Sequence, residues 1–353
     1  MKRRTLAAMI GMLAAPCAAD DWSILGPPAD FGDRPTKPPE LVVYVTGDPG
    51  DSPNKATGGP GLLLMGGGTD VDSGFSQRAY PVVNGGDIVI IRTSGADGYN
   101  DYLYNMVTGP LKPNSVETMM LDTPAKANSD YAAWVLNTAE LIWMAGGDQS
   151  EYVNAWKDTR SEDAIHACHA RGGVVGGTSA GLAVTGQFVY DPDGVGSVTS
   201  AQAIANPFTN RINISDDFLD FPLLRNVITD SHFRNRDRMG RSLAFLARLR
   251  QDGRSNPITG IAISEATCLF INKDGQGVVN GSAEVYILRE DDVTQRVQVA
   301  PSQPLVYSDI LRTRLVAGDT VDVTTWEASK QPIRMSVDGT AASPFITPTD
   351  YYN

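Results

Sequence analysis

The sequence predicts an α/β fold: a doubly wound, mostly parallel sheet flanked by helices, with a β-rich C-terminal extension. Three observations carry it. Short apolar runs such as Leu62-Leu63-Leu64-Met65, Ile88-Val89-Ile90-Ile91 and Leu141-Ile142-Trp143-Met144 lack polar alternation, as strands buried on both faces do. Segments that read as helices lie between the runs, and several runs end in glycine pairs, the punctuation of a strand-to-helix turn. After about residue 268 the helical signal gives way to alternating or β-branched segments separated by Asp-Gly, Asn-Gly and proline turns.

Residues 1–19 have the three parts of a secretory signal: the basic Met1-Lys2-Arg3-Arg4, the uncharged run Thr5 to Ala15, and Pro16-Cys17-Ala18-Ala19, after which cleavage is expected. A secreted or periplasmic location follows. That run is too short to cross a bilayer and no other segment approaches ~20 consecutive apolar residues, so no transmembrane segment is expected. Residues 20–60, rich in proline, glycine and aspartate, read as an arm wrapping the domain, with a β-like island at Leu41-Val42-Val43-Tyr44-Val45. The catalytic domain is expected over 61–272. Its strands are Leu62–Met65, Asp87–Ile91, Val116–Leu121, Leu141–Met144 and Val174-Val175. Its helices are Tyr99–Val107, Pro124–Thr138, Ser150–Ala170 and Phe233–Leu249, the last with Met239, Leu243, Leu246 and Leu249 at helical spacing. Residues 273–353 form the extension, with no chemistry visible in it. Ligands of doubly wound sheets gather at the carboxyl ends of the strands, where the glycine turns at 146 and 177 fall.

The 353 residues are 42% hydrophobic and 20% charged, as in ordinary globular proteins. The formal net charge of -12 becomes -15 when the three basic residues of the signal leave. That argues against a nucleic-acid or anionic-membrane partner and is compatible with a cationic substrate. Beyond the signal, Cys168 and Cys268 remain, as one disulfide or as two buried thiols.

The chemistry centres on Gly172 to Leu182, a β-branched pair running into Gly177-Thr178-Ser179-Ala180-Gly181. Glycines around a serine between strand and helix suit a sharp turn that displays the hydroxyl and frees backbone N–H groups for an oxyanion. Ser179 is the candidate nucleophile. Three histidines exist, His166, His169 and His232. The first two sit on the helix that feeds the serine's strand and read as helix-surface residues; with Cys168 they match no complete metal site, so no metal is expected. His232 follows the apolar Val227-Ile228-Thr229 and is the candidate base. Glu265 ends another short apolar strand and would orient the imidazole from the same sheet edge, or is a strand-terminal surface carboxylate. An α/β-hydrolase places its histidine near the C-terminus, whereas 121 residues follow His232.

Met144-Ala145-Gly146-Gly147-Asp148-Gln149, the serine turn, Asp230-Ser231-His232-Phe233 with Arg236, Arg238 and Arg241, and Gly260-Ile261-Ala262-Ile263-Ser264-Glu265 together resemble the cyanophycinase branch of peptidase family S51. The motifs come in that family's order over roughly residues 60–272. The resemblance implies a serine peptidase on a class I glutamine-amidotransferase-like sheet, with a Ser179-His232-Glu265 triad and no cofactor. It further implies oxyanion N–H groups from Gly147 and Ala180. Gln149, Asp230, Ser231, Arg236, Arg238 and Arg241 would hold a β-aspartyl-arginine unit, guanidinium on carboxylate and carboxylate on arginines. Ser231 stands where cyanophycinases tend to have glutamine, which bears on substrate identity more than on reaction type. The segment Tyr190 to Asp217 would serve as a lid or rim.

The expected function is therefore an exported peptidase releasing dipeptides from a cyanophycin-like polymer; a homodimer is compatible with it. An S51 exopeptidase on short α-aspartyl peptides, a catalytically silent peptide-binding homologue and an α/β-hydrolase esterase are the rival readings.

Overall fold

The computed structural model describes residues 32–342 and 345–353; the expected signal at 1–19, its cleavage site and the beginning of the arm lie outside the described residues. Six strands precede the serine turn: β1 (Val43–Gly47), β2 (Gly61–Met65), β3 (Asp87–Arg92), β4 (Ser115–Met120), β5 (Leu141–Met144) and β6 (Val174–Thr178). In the order β4-β3-β5-β6-β2 they are parallel neighbours. The island in the arm is β1, an antiparallel edge strand on β4. Every residue of β2, β5 and β6 is buried, which is why their sequences show no alternation.

Alternate side chains of these strands feed two cores. Leu63, Met65, Ile88, Ile90 and Trp143 pack beneath the segment holding α1 (Asp72–Gly74) and α2 (Tyr80–Val83) and beneath α3 (Asn100–Tyr104). Leu62, Leu64, Val89, Ile91 and Ile142 pack beneath α4 (Pro124–Ala127), α5 (Asp130–Thr138), α6 (Gln149–Trp156) and α7 (Arg160–Ala170). Helices on both faces give the α/β fold the sequence predicts. Two helices expected to be continuous are broken: the Ser129 hydroxyl caps α5 by accepting from Ala132 N–H at 3.2 Å, and Asp158, with φ 59°, separates α6 from α7.

Beyond the serine turn and α8 (Ala180–Ala183), a small ladder of β7 (Val189–Tyr190) and β8 (Ile214–Ser215) brackets α9 (Ser200–Ala205). Then come β9 (Val227–Asp230), α10 (Met239–Gln251) and β10 (Thr259–Ile263). The helix expected from Phe233 thus begins six residues later, and 233–238 form a loop. Strands β9 and β10 are parallel neighbours but belong to a second sheet, not to the one that carries Ser179.

The chain re-enters the first sheet with β11 (Thr267–Asn272), antiparallel to β2, and β12 (Gln276–Gly281). Next, β13 (Val285–Arg289), β14 (Gln295–Gln298) and β15 (Val306–Leu315) build the second sheet outward from β10. A short β16 (Thr320–Asp322) pairs with β12, and β17 (Ile333–Asp338) and β18 (Ile346–Thr347) complete the second sheet. The β-rich C-terminal region is therefore divided between both sheets.

Period-two alternation places the second sheet. Ile261, Ile263, Val285 and Ile287 join the core of the first sheet, whereas Ala262, Tyr286 and Leu288 pack with Leu243, Leu246 and Leu249 of α10. No helix among the described residues is long and apolar enough to cross a membrane.

Candidate active site

The serine turn is built by close approach. A β-carbon on Gly181 would run into the Met144 carbonyl, so α8 can start hard against β5 only with glycine there. Ser179 lies between β6 and α8 at φ 55°, ψ -112°, a backbone that non-glycine residues rarely adopt, and its N–H donates to Met65 O at 3.1 Å. The first amide of α8, Ala180 N–H, has no acceptor within its own helix. Gly147, just past β5, faces the same cavity.

His232 follows β9 with φ 46°, and its N–H donates to Gly66 O at 2.7 Å. The ring lies against Gly67, in the Gly66-Gly67-Gly68 turn at the end of β2. A β-carbon on Gly67, whose φ is +94°, would sit 2.5 Å from the imidazole Cε1 and Nε2. Glu265 follows β10; its N–H donates to Asn235 Oδ1 at 3.2 Å, and the next amide, Ala266 N–H, donates to Gly67 O at 3.0 Å. The glycine turn of the first sheet therefore carries bonds from both loops of the second. As a result Ser179 Oγ lies 2.7 Å from His232 Nε2, and His232 Nδ1 lies 2.6 Å from Glu265 Oε1. With the hydroxyl donating to Nε2, the Nδ1–H donates to the carboxylate. Burial lowers the His232 pKa from its ordinary value; the Glu265 hydrogen bond raises it, and Arg236 and Arg238 lower it further.

A cavity of about 60 Å³ opens beside the serine, lined by Gly147, Gln149, Ser179, Ala180, Ala183, Tyr190, Thr229, Asp230, Ser231, His232, Arg236, Arg238 and Arg241. Every site residue singled out in the sequence lines it except Glu265, which stands behind the imidazole. Gln149 opens α6 and donates from Nε2 to Tyr190 O at 3.1 Å. Ser231 is buried, and its carbonyl accepts from Arg238 Nη1 at 2.7 Å.

One expectation needs correction. Asp230 does not offer a free carboxylate to a substrate guanidinium, because the chain's own groups surround it. Arg241 donates to Oδ2 at 2.9 Å and to Oδ1 at 2.5 Å, Arg238 to Oδ1 at 3.3 Å, Ser242 Oγ to Oδ2 at 2.7 Å and Ser231 N–H to Oδ1 at 2.9 Å. Burial alone would raise the Asp230 pKa, but the two arginines and these hydrogen bonds outweigh it and hold the carboxyl below its usual range. Burial, together with Arg241 and Arg236, brings Arg238 down to about 10. Arg236 is exposed, and no carboxylate or hydrogen-bond acceptor meets its guanidinium among the described residues.

His166 and His169 are not helix-surface residues. Both are buried, 8% and 9% exposed, and both pack on Phe221, with His166 Nε2 3.3 Å from Phe218 O. Burial, with His166 adding to it, lowers His169 to about 4. Cys168 and Cys268 are separate buried thiols. Sequence reasoning missed the part played by Gly66-Gly67-Gly68, although three glycines directly after a buried strand are themselves a signal of close backbone approach. Tyr190, the first residue of the segment expected as a lid or rim, lines the cavity, and the Arg241 guanidinium lies 4.9 Å from the centre of its ring.

Known proteins resemble this chain in sequence and in fold. The family model of Peptidase family S51 matches residues 99–278. The cyanophycinase of Trichormus variabilis is 28% identical over 209 residues, which cover 58% of this chain and 64% of that one, just under two thirds of the relative's length. The cyanophycinase of Geminocystis herdmanii is 28% identical over 271 residues, covering 73% of this chain and 92% of the relative. A peptidase from an acI-B1 Actinobacterium, known from its crystal structure, aligns with a TM-score of 0.50 over 76% of this chain and 98% of its own. At 15% identity that likeness bears on the fold alone.

Proposed function

Since the chain belongs to peptidase family S51, whose model spans residues 99–278, we propose that it is an exported serine peptidase of the cyanophycinase kind, hydrolysing peptide bonds of a β-aspartyl-arginine polymer to dipeptides. One observation carries the reading: the line of hydrogen bonds from Ser179 Oγ through His232 to Glu265, at 2.7 Å and 2.6 Å. In the proposed reaction Ser179 Oγ attacks the scissile carbonyl while its proton passes to His232 Nε2. Glu265 holds the Nδ1–H and favours the imidazolium as it forms. The Gly147 and Ala180 amides receive the oxyanion. Nε2–H then protonates the leaving amine, the C–N bond breaks and an ester on Ser179 remains. Water, giving its proton to Nε2, hydrolyses that ester.

The arginines refine the substrate. With Asp230 engaged by Arg238 and Arg241, the cavity wall is cationic, and Arg236 has no partner among the described residues. Such a wall suits a free carboxylate close to the scissile bond, which a β-aspartyl-arginine unit carries. Ser179→Ala should abolish dipeptide release from cyanophycin, a loss of at least about 10³-fold; wild-type release by the purified variant would overturn the nucleophile. Hydrolysis of small α-aspartyl dipeptides with the polymer left intact would replace the substrate while keeping the mechanism. Export rests on the sequence of residues 1–19, and detection of the chain outside the cytoplasm tests it.

A further inference from the structure

Helix α10 supplies Arg241 to the cavity and Ser242 to the Asp230 carboxylate, yet no side chain of its own first turn caps it: Arg238, at the N-cap, makes no capping bond. Two side chains from elsewhere cap it: Ser200 Oγ accepts from Arg241 N–H, the third amide of α10, at 3.2 Å, and the cap on the first amide comes from more than a hundred residues away. Tyr352 Oη accepts from Met239 N–H, the first amide of α10, at 3.1 Å, and donates to Asp237 Oδ1 at 3.1 Å. Tyr351 Oη reaches the same Asp237 oxygen at 3.1 Å. The Tyr352 ring lies edge-on to Phe233 at 5.9 Å and to Tyr286 at 5.8 Å, and Tyr286 Oη donates to Tyr352 O at 2.7 Å. Arg312 and Arg234 bind Asn353 O and Oδ1 at 2.7 Å and 3.2 Å.

The loop so gripped, 233–238, begins directly after His232 and presents Arg236 and Arg238 to the cavity. Left-handed backbone stands at both its ends, His232 at φ 46° and Asp237 at φ 47°. Such strain persists only where the surroundings over-determine it. At the His232 end the Gly66 carbonyl does so; at the Asp237 end Tyr351, Tyr352 and Ser200, whose Oγ donates to Asp237 O, do so.

We propose that Tyr351-Tyr352-Asn353 is a positioning clamp, with Tyr352 capping the first amide of α10 in trans, that sets Arg236 and Arg238 for substrate binding. The clamp acts on the site proposed above and so rests on that reading. It controls affinity more than bond-breaking, because His232 and the Glu265-Ala266 turn are anchored on the Gly66 and Gly67 carbonyls, and the gripped loop adds only the Asn235 Oδ1 bond to Glu265 N–H.

Tyr352→Phe keeps the ring and removes only the hydroxyl, so it tests the clamp without unfolding the tail. The expected result is a KM for the polymer raised about tenfold with kcat within about twofold, the size of losing one hydrogen bond that orders a charged loop. The Met239 amide should lose hydrogen-exchange protection while the centre of α10 keeps it. An unchanged KM in an active enzyme, or unchanged exchange at Met239, would overturn the clamp. If the wild type cleaves no peptide, the functional reading fails, and exchange at Met239 in wild type against Tyr352→Phe still decides the clamp.

Discussion

An imidazole that is to take the Ser179 proton has to be neutral, and the surroundings of His232 favour that form. Burial and the two nearby arginines lower its pKa, while the Glu265 hydrogen bond opposes them. In the mechanism proposed above the neutral form is the active base, so a lowered pKa extends activity towards acid: the acid limb of the kcat/KM profile should fall below the ordinary imidazole value of about 6.5. Arg236 is exposed at the cavity mouth and is one of the groups that lower it. Replacing it by glutamine removes that repulsion and should move the limb upward, alongside a loss of substrate affinity. A limb that stays in place, or moves to lower pH, would show that Arg236 does not bear on the base.

At the scale of elements, the arm pairs β1 with β4, and a buried charge pair fastens the stretch before β1. Arg34 donates to both carboxylate oxygens of Glu117 on β4 at 2.6 Å and to the Tyr131 hydroxyl. Its guanidinium lies 4.8 Å from the centre of the Tyr131 ring and 5.4 Å from that of Trp134, both on α5. The Glu117 side chain is only 3% exposed, and a carboxylate there is tolerable because Arg34 meets it. Arg34→Ala should cost about 3 kcal/mol in urea unfolding by leaving that charge alone, and adding Glu117→Gln should restore part of the loss. If the second change deepened the loss instead, the buried charge would not be its source. This attachment was not legible in the sequence. An arginine in a proline-rich stretch and a glutamate inside an apolar run carry no mark of each other; only the register of β4 and α5 brings them together. The parallel strands were legible, because a strand buried on both faces has to be apolar at every position. The breaks between α4 and α5 and between α6 and α7 were less so, since one capping serine or one left-handed aspartate interrupts a helix without disturbing its apolar spacing.

Over the whole molecule, the serine and its two partners come from different sheets, and this was beyond local pattern. The strands before His232 and Glu265 read like those before Ser179, short and apolar, and nothing in that pattern says which sheet a strand joins. The candidate residues were legible because glycines, a scarce histidine and a strand-terminal glutamate stand out one by one. Their meeting depends on the C-terminal strands: β13 pairs with β10 along its whole length, and β12 pairs with β11 in the first sheet. Val285 and Ile287 of β13 join the same core as Leu62 and Leu64 of β2. A chain ending at residue 272 would expose these faces and leave β10 and β11 as open edges. Such a fragment should therefore fail to fold cooperatively and should show no labelling of Ser179 by a fluorophosphonate, while the longer chain unfolds in one transition. A soluble 32–272 fragment with native near-ultraviolet circular dichroism and a reactive Ser179 would mean that β9 and β10 hold the imidazole in place without the sheet built upon them.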